Sequence, residues 1–256
     1  MNPDHYIALV TIVRKEVVRF TRIWSQTLLP PAITQTLYFV IFGKFIGARI
    51  GEMQGVSYMA FIVPGLVMMA IINSSFANVV SSFFGSKFQR NIEEILVSPT
   101  PNSIMVAGYA AGGVLRGILV GIIVFIVSVF FVRPSVYHPA VIILFALLTT
   151  VIFSLGGLLN GVFAKRFDDV AIFPTFILTP LTYLGGVFYS VDKLPQPWQG
   201  ISHFNPILYM VSGFRYGFYG VSDVNLATSV LISIGFIVLL TVANLYFLNK
   251  GSGLKN

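Results

Sequence analysis

The chain has 256 residues, a formal charge of +7, 56% hydrophobic residues and only 10% charged residues. A soluble domain carries about 25% charged residues, so this composition, with a mean hydropathy of +0.86, excludes a water-soluble protein and predicts an all-α membrane protein. The cations lie between apolar runs, as membrane topology predicts, which argues against a nucleic-acid partner, and the absence of cysteine excludes disulfides and thiolate metal sites.

Residues 1–24 form the first predicted unit, an N-terminal amphipathic helix that lies in the membrane interface. Its apolar stripe consists of Val10, Val13, Val17, Phe20 and Trp24. The opposite face carries Thr11, Lys15, Arg19 and Arg22, whose cations are expected among lipid headgroups. The alternative is a cytosolic helix that packs against its own protein.

Residues 25–256 form the second unit, a transmembrane domain with six apolar runs. Each run is long enough to cross the hydrocarbon layer, which takes about 20 helical residues. The runs lie near 25–45, 58–84, 103–132, 139–163, 169–190 and 225–248. Pro174 and Pro180 lie inside the fifth run and predict a kink or a break there.

A polar stretch from Gly85 to Pro101 separates the second and third runs and is predicted to form a helix of about three turns. Ser86 and Gln89 have the spacing of a capping box, and Pro99 prevents the helix from continuing. Helical periodicity places Phe88, Ile92, Ile95 and Leu96 on one face and Lys87, Arg90, Asn91, Glu93 and Glu94 on the other. Such a helix can bind a soluble partner; a solvated helix without a partner is the alternative.

Glycines at four-residue spacing in the third and fourth runs predict close helix packing rather than a substrate path. They are Gly108, Gly112, Gly113, Gly117, Gly121, Gly157 and Gly161. Arg116 is the one ionisable residue deep in a run, so it must face the bundle interior or a watery cavity. It aligns with Tyr109 and Gly112. Either Arg116 and Tyr109 line a substrate path, or Arg116 pairs with a polar group such as Asn160.

The segment between the fifth and sixth runs, residues 190–220, is too apolar for a solvated loop and predicts two short helices that re-enter the outer leaflet. Asn205 and Pro206 are typical of a helix start, and Gly220 can end that helix. The aromatic residues Tyr209, Tyr216, Phe218 and Tyr219 suit an interfacial depth. We interpret this hairpin as an outer gate formed by Asn205, Pro206, Tyr209, Arg215 and Tyr216.

The cations indicate the orientation. If both termini are cytoplasmic, ten cations lie inside and five outside, Arg215 among the latter, which favours this topology. No protease, hydrolase or Walker A motif is present, so an intramembrane enzyme is not favoured. Asp168 and Asp169 are expected to cap the fifth run rather than to bind a metal.

The element order and three motifs resemble the ABC-2 type permeases, the membrane subunits of a class of ABC exporters. The motifs are N-I-E-E-I-L-V-S-P-T-P at 91–101, P-G-L-V-M-M at 64–69 and F-N-P-I-L-Y-M-V-S-G-F-R-Y-G-F-Y-G at 204–220. The resemblance covers essentially the whole chain. It implies a homodimer in the bacterial inner membrane, surrounded by membrane lipid and bound to two copies of a separate cytosolic ABC ATPase.

The resemblance further implies that residues 86–98 are a coupling helix seated in a groove of the ATPase. Its coupling residues would be Lys87, Phe88, Arg90, Ile92, Glu93, Glu94 and Leu96. ATP and Mg²⁺ would be held by the partner and no cofactor by this chain, which would export a lipid-like, glycan or amphipathic substrate by alternating access. A secondary transporter or channel without an ATPase is the alternative, although Arg116 alone could serve as its midplane ionisable residue.

Overall fold

The computed structural model describes residues 3–251, apart from the side chains of Ile95 and Leu96. The α-helices in chain order are α1 (Pro3–Arg22), α2 (Trp24–Thr27), α3 (Leu29–Tyr38), α4 (Gly47–Ile50), α5 (Tyr58–Phe88), α6 (Ile92–Val97), α7 (Asn102–Val129), α8 (Pro139–Phe163), α9 (Phe167–Phe173), α10 (Thr179–Leu184), α11 (Gln196–His203), α12 (Pro206–Tyr219) and α13 (Leu226–Asn249). Two π-helical segments, Phe39–Ile46 and Pro174–Leu178, connect α3 to α4 and α9 to α10, and a 3₁₀ turn covers Val191–Lys193. The strands β1 (Glu52–Met53) and β2 (Val56–Ser57) form a small antiparallel hairpin.

Five helical segments of residues 3–251 are long and apolar enough to cross a bilayer, and each overlaps one of the predicted runs. They are Trp24–Ile50, α5, α7, α8 and α13. The run predicted near 169–190 corresponds to the continuous helical segment 167–184, which is not among the five. It contains the π-helical turn that begins at Pro174, so the predicted irregularity is confirmed. Membrane crossing by this segment stays a prediction.

The helix α5 is the centre of the bundle and packs against α7, α8 and α12. It has no charged residue before Lys87, which lets most of its residues be buried. The Ser57 side chain caps its start by accepting a hydrogen bond from the Ala60 amide at 3.3 Å. We refer below to the end of the bundle where α5 meets α6 as the α6 end, and to the opposite end as the hairpin end.

The glycine positions of α7 and α8 lie at close helix contacts, as predicted. A Cβ atom added at Gly157 would lie 2.5 Å from the carbonyl oxygen of Phe76 in α5, closer than packing allows. Added Cβ atoms at Gly113 and Gly117 would collide with hydroxyl groups of α8 and α5. Because these glycines have no side chain, the α5, α7 and α8 backbones can approach each other closely.

The N-terminal helix α1 packs against the bundle along its second half. Ile12 lies over Gly108 of α7 and Glu16 lies over Gly112, so α1 packs along α7 over at least one helical turn. Phe20 is buried, as its place in the predicted apolar stripe requires, but Trp24 at the end of that stripe is exposed. This part of α1 agrees with the alternative of packing against its own protein.

Candidate functional site

The stretch from Gly85 to Pro101 does not form the single helix predicted for it. The helix α5 continues through Phe88, so Ser86 and Lys87 lie in its last turn and Ser86 is not a cap. Arg90 then adopts φ +61°, which ends α5 because a left-handed residue cannot continue a right-handed helix. The helix α6 that follows has six residues. The prediction was wrong because the helical periodicity of the sequence runs unchanged across the break at Arg90.

Two of the predicted coupling residues anchor this connection to the bundle. Lys87 donates hydrogen bonds to the carbonyl oxygens of Val162 at 2.9 Å and Ala164 at 2.8 Å, where the end of α8 leaves carbonyl groups without helical partners. The prediction that Lys87 faces outward is therefore wrong. Ile92 is buried in the core, in agreement with its predicted apolar face. The side chain of Leu96 lies outside the described residues.

The other predicted coupling residues form an exposed surface. Phe88 is 61% exposed, and its ring lies 4.8 Å from the ring of Phe167, at the start of α9. Glu93 and Glu94 are exposed, and their carboxylates have no hydrogen bond or ion pair within residues 3–251; Arg90 is exposed too. We call Phe88, Glu93, Glu94, Val97 and Phe167 the α6 surface.

The start of α9 belongs to the same end of the bundle. The Asp169 carboxylate accepts hydrogen bonds from the backbone amides of Lys165 at 2.8 Å and Arg166 at 3.0 Å. It therefore caps the helix, as predicted for the Asp168–Asp169 pair. Because Phe167 contacts Phe88, the α5–α6 and α8–α9 connections contribute to one continuous surface.

A buried ionic network joins α1 to α5. Glu16 is fully buried and accepts hydrogen bonds from the Ser82 hydroxyl and from Arg19, whose Nη2 lies 3.0 Å from the Glu16 Oε2. The same Arg19 nitrogen donates to the backbone carbonyl and the Oδ1 of Asn78, at 2.9 and 2.7 Å. Arg19 thus faces the bundle, and its predicted outward position is wrong because Glu16, three residues earlier on the same helix face, holds it inward.

Tyr109 lies next to this network and is fully buried. Its hydroxyl donates a hydrogen bond to the Ser86 Oγ at 3.3 Å. The Ser86 Oγ also accepts a hydrogen bond from Lys15 at 3.2 Å. The role of Glu16 was not predictable from composition, because a single carboxylate among the four cations of residues 14–22 has no distinct pattern. The Glu16–Arg19 spacing of three residues was the available signal.

Arg116 is buried at 9% exposure and lies where α1 gives way to α2 and α3. Its Nη2 donates to the carbonyl oxygen of Thr27 at 3.2 Å. That carbonyl has no helical donor, because residues 30 and 31 are both prolines and carry no amide hydrogen. Pairing with Asn160 is wrong, since Asn160 faces α9 and donates to the Val170 carbonyl. The Pro30–Pro31 pair was the sequence signal for the true partner.

The hairpin end contains a second buried ion pair, between Arg215 of α12 and Asp223 at 2.8 Å. The guanidinium also donates to the Gly186 carbonyl and lies 3.9 Å above the Phe61 ring. Burial lowers the pKa of Arg215 to about 10, Asp223 opposes that shift, and the group stays cationic at neutral pH. Arg215 is fully buried, and its predicted assignment to the outer side of the membrane stays a prediction.

Asp223 extends this ion pair to the β-hairpin. Its Oδ1 accepts hydrogen bonds from the Gln54 amide at 2.7 Å and the Ser190 hydroxyl at 2.6 Å. We call Gln54, Gly186, Ser190, Arg215 and Asp223 the hairpin-end hub. It ties together the β-hairpin, the turn after α10, α12 and the segment before α13.

Residues 190–220 contain two short helices, α11 and α12, and the predicted re-entry of this pair into the outer leaflet stays a prediction. Asn205 caps α12 by accepting a hydrogen bond from the Ile207 amide at 3.0 Å, Pro206 is its first residue, and Gly220 ends it with φ +72°. The four aromatic residues predicted to lie at interfacial depth differ in burial. Tyr209, Tyr216 and Tyr219 are half-buried, but Phe218 is buried against the bundle core.

Comparison with known proteins agrees with this architecture. Residues 7–219 match the family described as ABC-2 type transporter. The chain is 58% identical to the protein named "Inner membrane transport permease YadH" of Escherichia coli (strain K12), over 98% of each chain. It is 26% identical to "Nodulation protein J" of Rhizobium leguminosarum bv. viciae, over 70% of each chain. The chain therefore belongs to the ABC-2 type transporter family and is a transmembrane transport subunit of an ABC transporter.

Proposed function

We propose that this chain is the membrane half of an ATP-driven exporter in a bacterial inner membrane. Two copies of the chain bind two copies of a separate cytosolic ABC ATPase, which holds ATP and Mg²⁺. Alternating access moves a lipid-like, glycan or amphipathic substrate out of the cytoplasm or the inner leaflet. Family membership supports an ABC ATPase partner in general, and the name of the relative that is 58% identical supports the inner membrane.

The α6 surface is the observation that carries this proposal. It presents two exposed rings, Phe88 and Phe167, beside two carboxylates without partners in the described chain. The same connection is anchored by buried Ile92 and by the hydrogen bonds of Lys87 to the end of α8. Because α6 links α5 directly to α7, a push on this surface by an ATPase moves α5, α7 and α8 together.

A double charge reversal tests the docking surface. Glu93→Lys with Glu94→Lys should weaken association with the ATPase by at least about tenfold, because a buried interfacial charge pair is worth about 2–5 kcal/mol when one member is lost. The measurement is pull-down of the co-expressed ATPase by the tagged permease, normalised to permease in the membrane. Glu52→Lys, an exposed carboxylate at the hairpin end, is the matched control. Wild-type recovery of the ATPase by the double variant would mean that the partner docks elsewhere.

The proposal places both termini and the α6 end in the cytoplasm. A reporter fused after Asn256 should therefore score cytoplasmic, whereas one inserted at Gln54 should score external. The excess of cations at the cytoplasmic side supports this orientation. An external C-terminus would contradict the topology without touching the family assignment.

The outer gate of this proposal is the α11–α12 hairpin, with Asn205, Pro206, Tyr209, Arg215 and Tyr216. The hairpin-end hub supports a closed state, since it ties Arg215 to three other segments. The substrate route passes Arg116 and Tyr109 only in a state in which the N-terminal helices have moved away from α7, because Tyr109 is fully buried below Lys15 of α1 and Arg116 is buried and bonded to Thr27 of α2 here.

A further inference from the structure

A cavity of about 400 Å³ lies between α7 and α8 toward the hairpin end. Its walls include Ile122 and Phe125 of α7 and Ile143 of α8, and its floor is formed by Phe214 and Phe218 of α12. No residue that lines it has a polar side chain. We call this cavity the α7–α8 pocket.

The α7–α8 pocket opens sideways from the bundle rather than toward water. Ile122 is 51% exposed and Ile143 is 60% exposed, so the walls reach the outer surface of two helices that are apolar enough to span a bilayer. At that depth the surroundings of the protein are lipid hydrocarbon. An occupant with a flexible apolar chain restores the dispersion contacts that an empty pocket lacks.

The cation Arg133 lies close in sequence to a residue that lines the pocket. Val136 lines the pocket, and Arg133, three residues earlier in the same loop between α7 and α8, is exposed. In the part of the chain that the structure describes, Arg133 has no hydrogen bond and no ion pair. A guanidinium binds phosphate oxygens in a bidentate manner. The loop thus supplies an anion-binding group near an apolar pocket.

We propose that the α7–α8 pocket binds one acyl chain of an anionic phospholipid whose phosphate pairs with Arg133. A volume of about 400 Å³ lies within the range of ligand pockets. A second copy of this chain fits less well, because a symmetric contact would bring a second Arg133 to the same interface. The inference does not rest on export or on the ATPase, since this lipid is retained by the protein rather than transported.

The bound chain also supports the hairpin end. It packs against Phe214 and Phe218, and Phe214 precedes the hub residue Arg215 in α12. A lipid in the pocket therefore buttresses the helix that carries the buried ion pair. Its loss is expected to loosen α12 before it affects the α6 end.

Photo-crosslinking in membranes tests the site. The full-length permease is reconstituted with phosphatidylglycerol that carries a diazirine in one acyl chain, and labelled peptides are identified after proteolysis. Ala146→Phe, which fills the pocket, should lower labelling of the α7 and α8 walls about tenfold. Ala140→Phe, on an exposed site of the same helix outside the pocket, should not. Ile143→Trp at the exposed rim provides a second block in case Ala146→Phe does not fold.

The headgroup is tested separately. Arg133→Glu should lower labelling by the phosphatidylglycerol probe, while Arg133→Lys should retain most of it, because only the reversal repels the phosphate. Unchanged labelling of the pocket walls in both Ala146→Phe and Ile143→Trp would overturn the acyl-chain site. Crosslinks from the walls to a second permease chain instead of lipid would assign the pocket to an interface between copies.

Discussion

Replacing Asp223 with asparagine removes the only carboxylate of the hairpin-end hub and leaves Arg215 charged. The side chains of Arg215 and Asp223 are 0% and 1% exposed, so water cannot take over the role of the lost partner. Breaking a buried pair in this way costs about 3–5 kcal/mol. In a chain of this size 1 kcal/mol shifts the melting temperature by about 2–4 °C, so a fall of roughly 10 °C is expected.

The assay is the temperature at which half of the detergent-purified protein loses its monodisperse state. Lys193→Ala is the control, because Lys193 is exposed and makes no side-chain hydrogen bond in the described chain; its effect should stay within about 0.5 kcal/mol. The double variant Arg215→Met with Asp223→Leu should recover part of the loss, since no charge remains buried, while Gln54 and Ser190 lose their acceptor. A melting temperature of Asp223→Asn equal to that of the wild type would refute the reasoning.

Three further predictions concern the helix contacts and the buried cations. Gly157→Ala should reduce the yield of folded protein, because its Cβ meets a carbonyl oxygen at 2.5 Å, whereas Gly156→Ala, whose nearest neighbour lies at 3.9 Å, should not. Glu16→Ala should free α1 from α5 by leaving Arg19 without its carboxylate, and limited proteolysis should then cleave α1 faster with α5 to α8 still protected. Arg116→Ala should lower stability if its hydrogen bond to the bundle is its whole role; an unchanged melting temperature with lost substrate-stimulated ATP hydrolysis would instead assign it to the substrate route.

Local chemistry made the helix starts and ends of the hairpin predictable. Asn205, Pro206 and Gly220 act through their own backbone and side-chain geometry, which needs no tertiary context. The close packing at Gly157 was also predictable, because glycines at four-residue spacing in an apolar helix are typical of close helix contacts. The capping by Asp169 follows the same local rule.

The partners of the buried charges were not predictable in the same way. Lys87 and Arg215 look like exposed cations in the sequence, but tertiary packing directs one to the end of α8 and the other to Asp223. Hydrophobic periodicity also missed the end of α5, because the break depends on the left-handed backbone of Arg90 rather than on a proline or glycine. Long-range pairing, and a turn formed by an ordinary residue, leave no periodic signal.

The most direct test of the central claim is a single-cysteine crosslink at the α6 surface. The chain has no cysteine of its own, so Glu94→Cys introduces one thiol at an exposed position next to the proposed ATPase groove. In membranes that contain the co-expressed ATPase, a short thiol-to-amine crosslinker should join the permease to the ATPase through this cysteine. The same crosslinker should give no such product with Glu52→Cys at the hairpin end. Absence of an ATPase adduct from Glu94→Cys in a complex that hydrolyses ATP normally would contradict coupling through this surface.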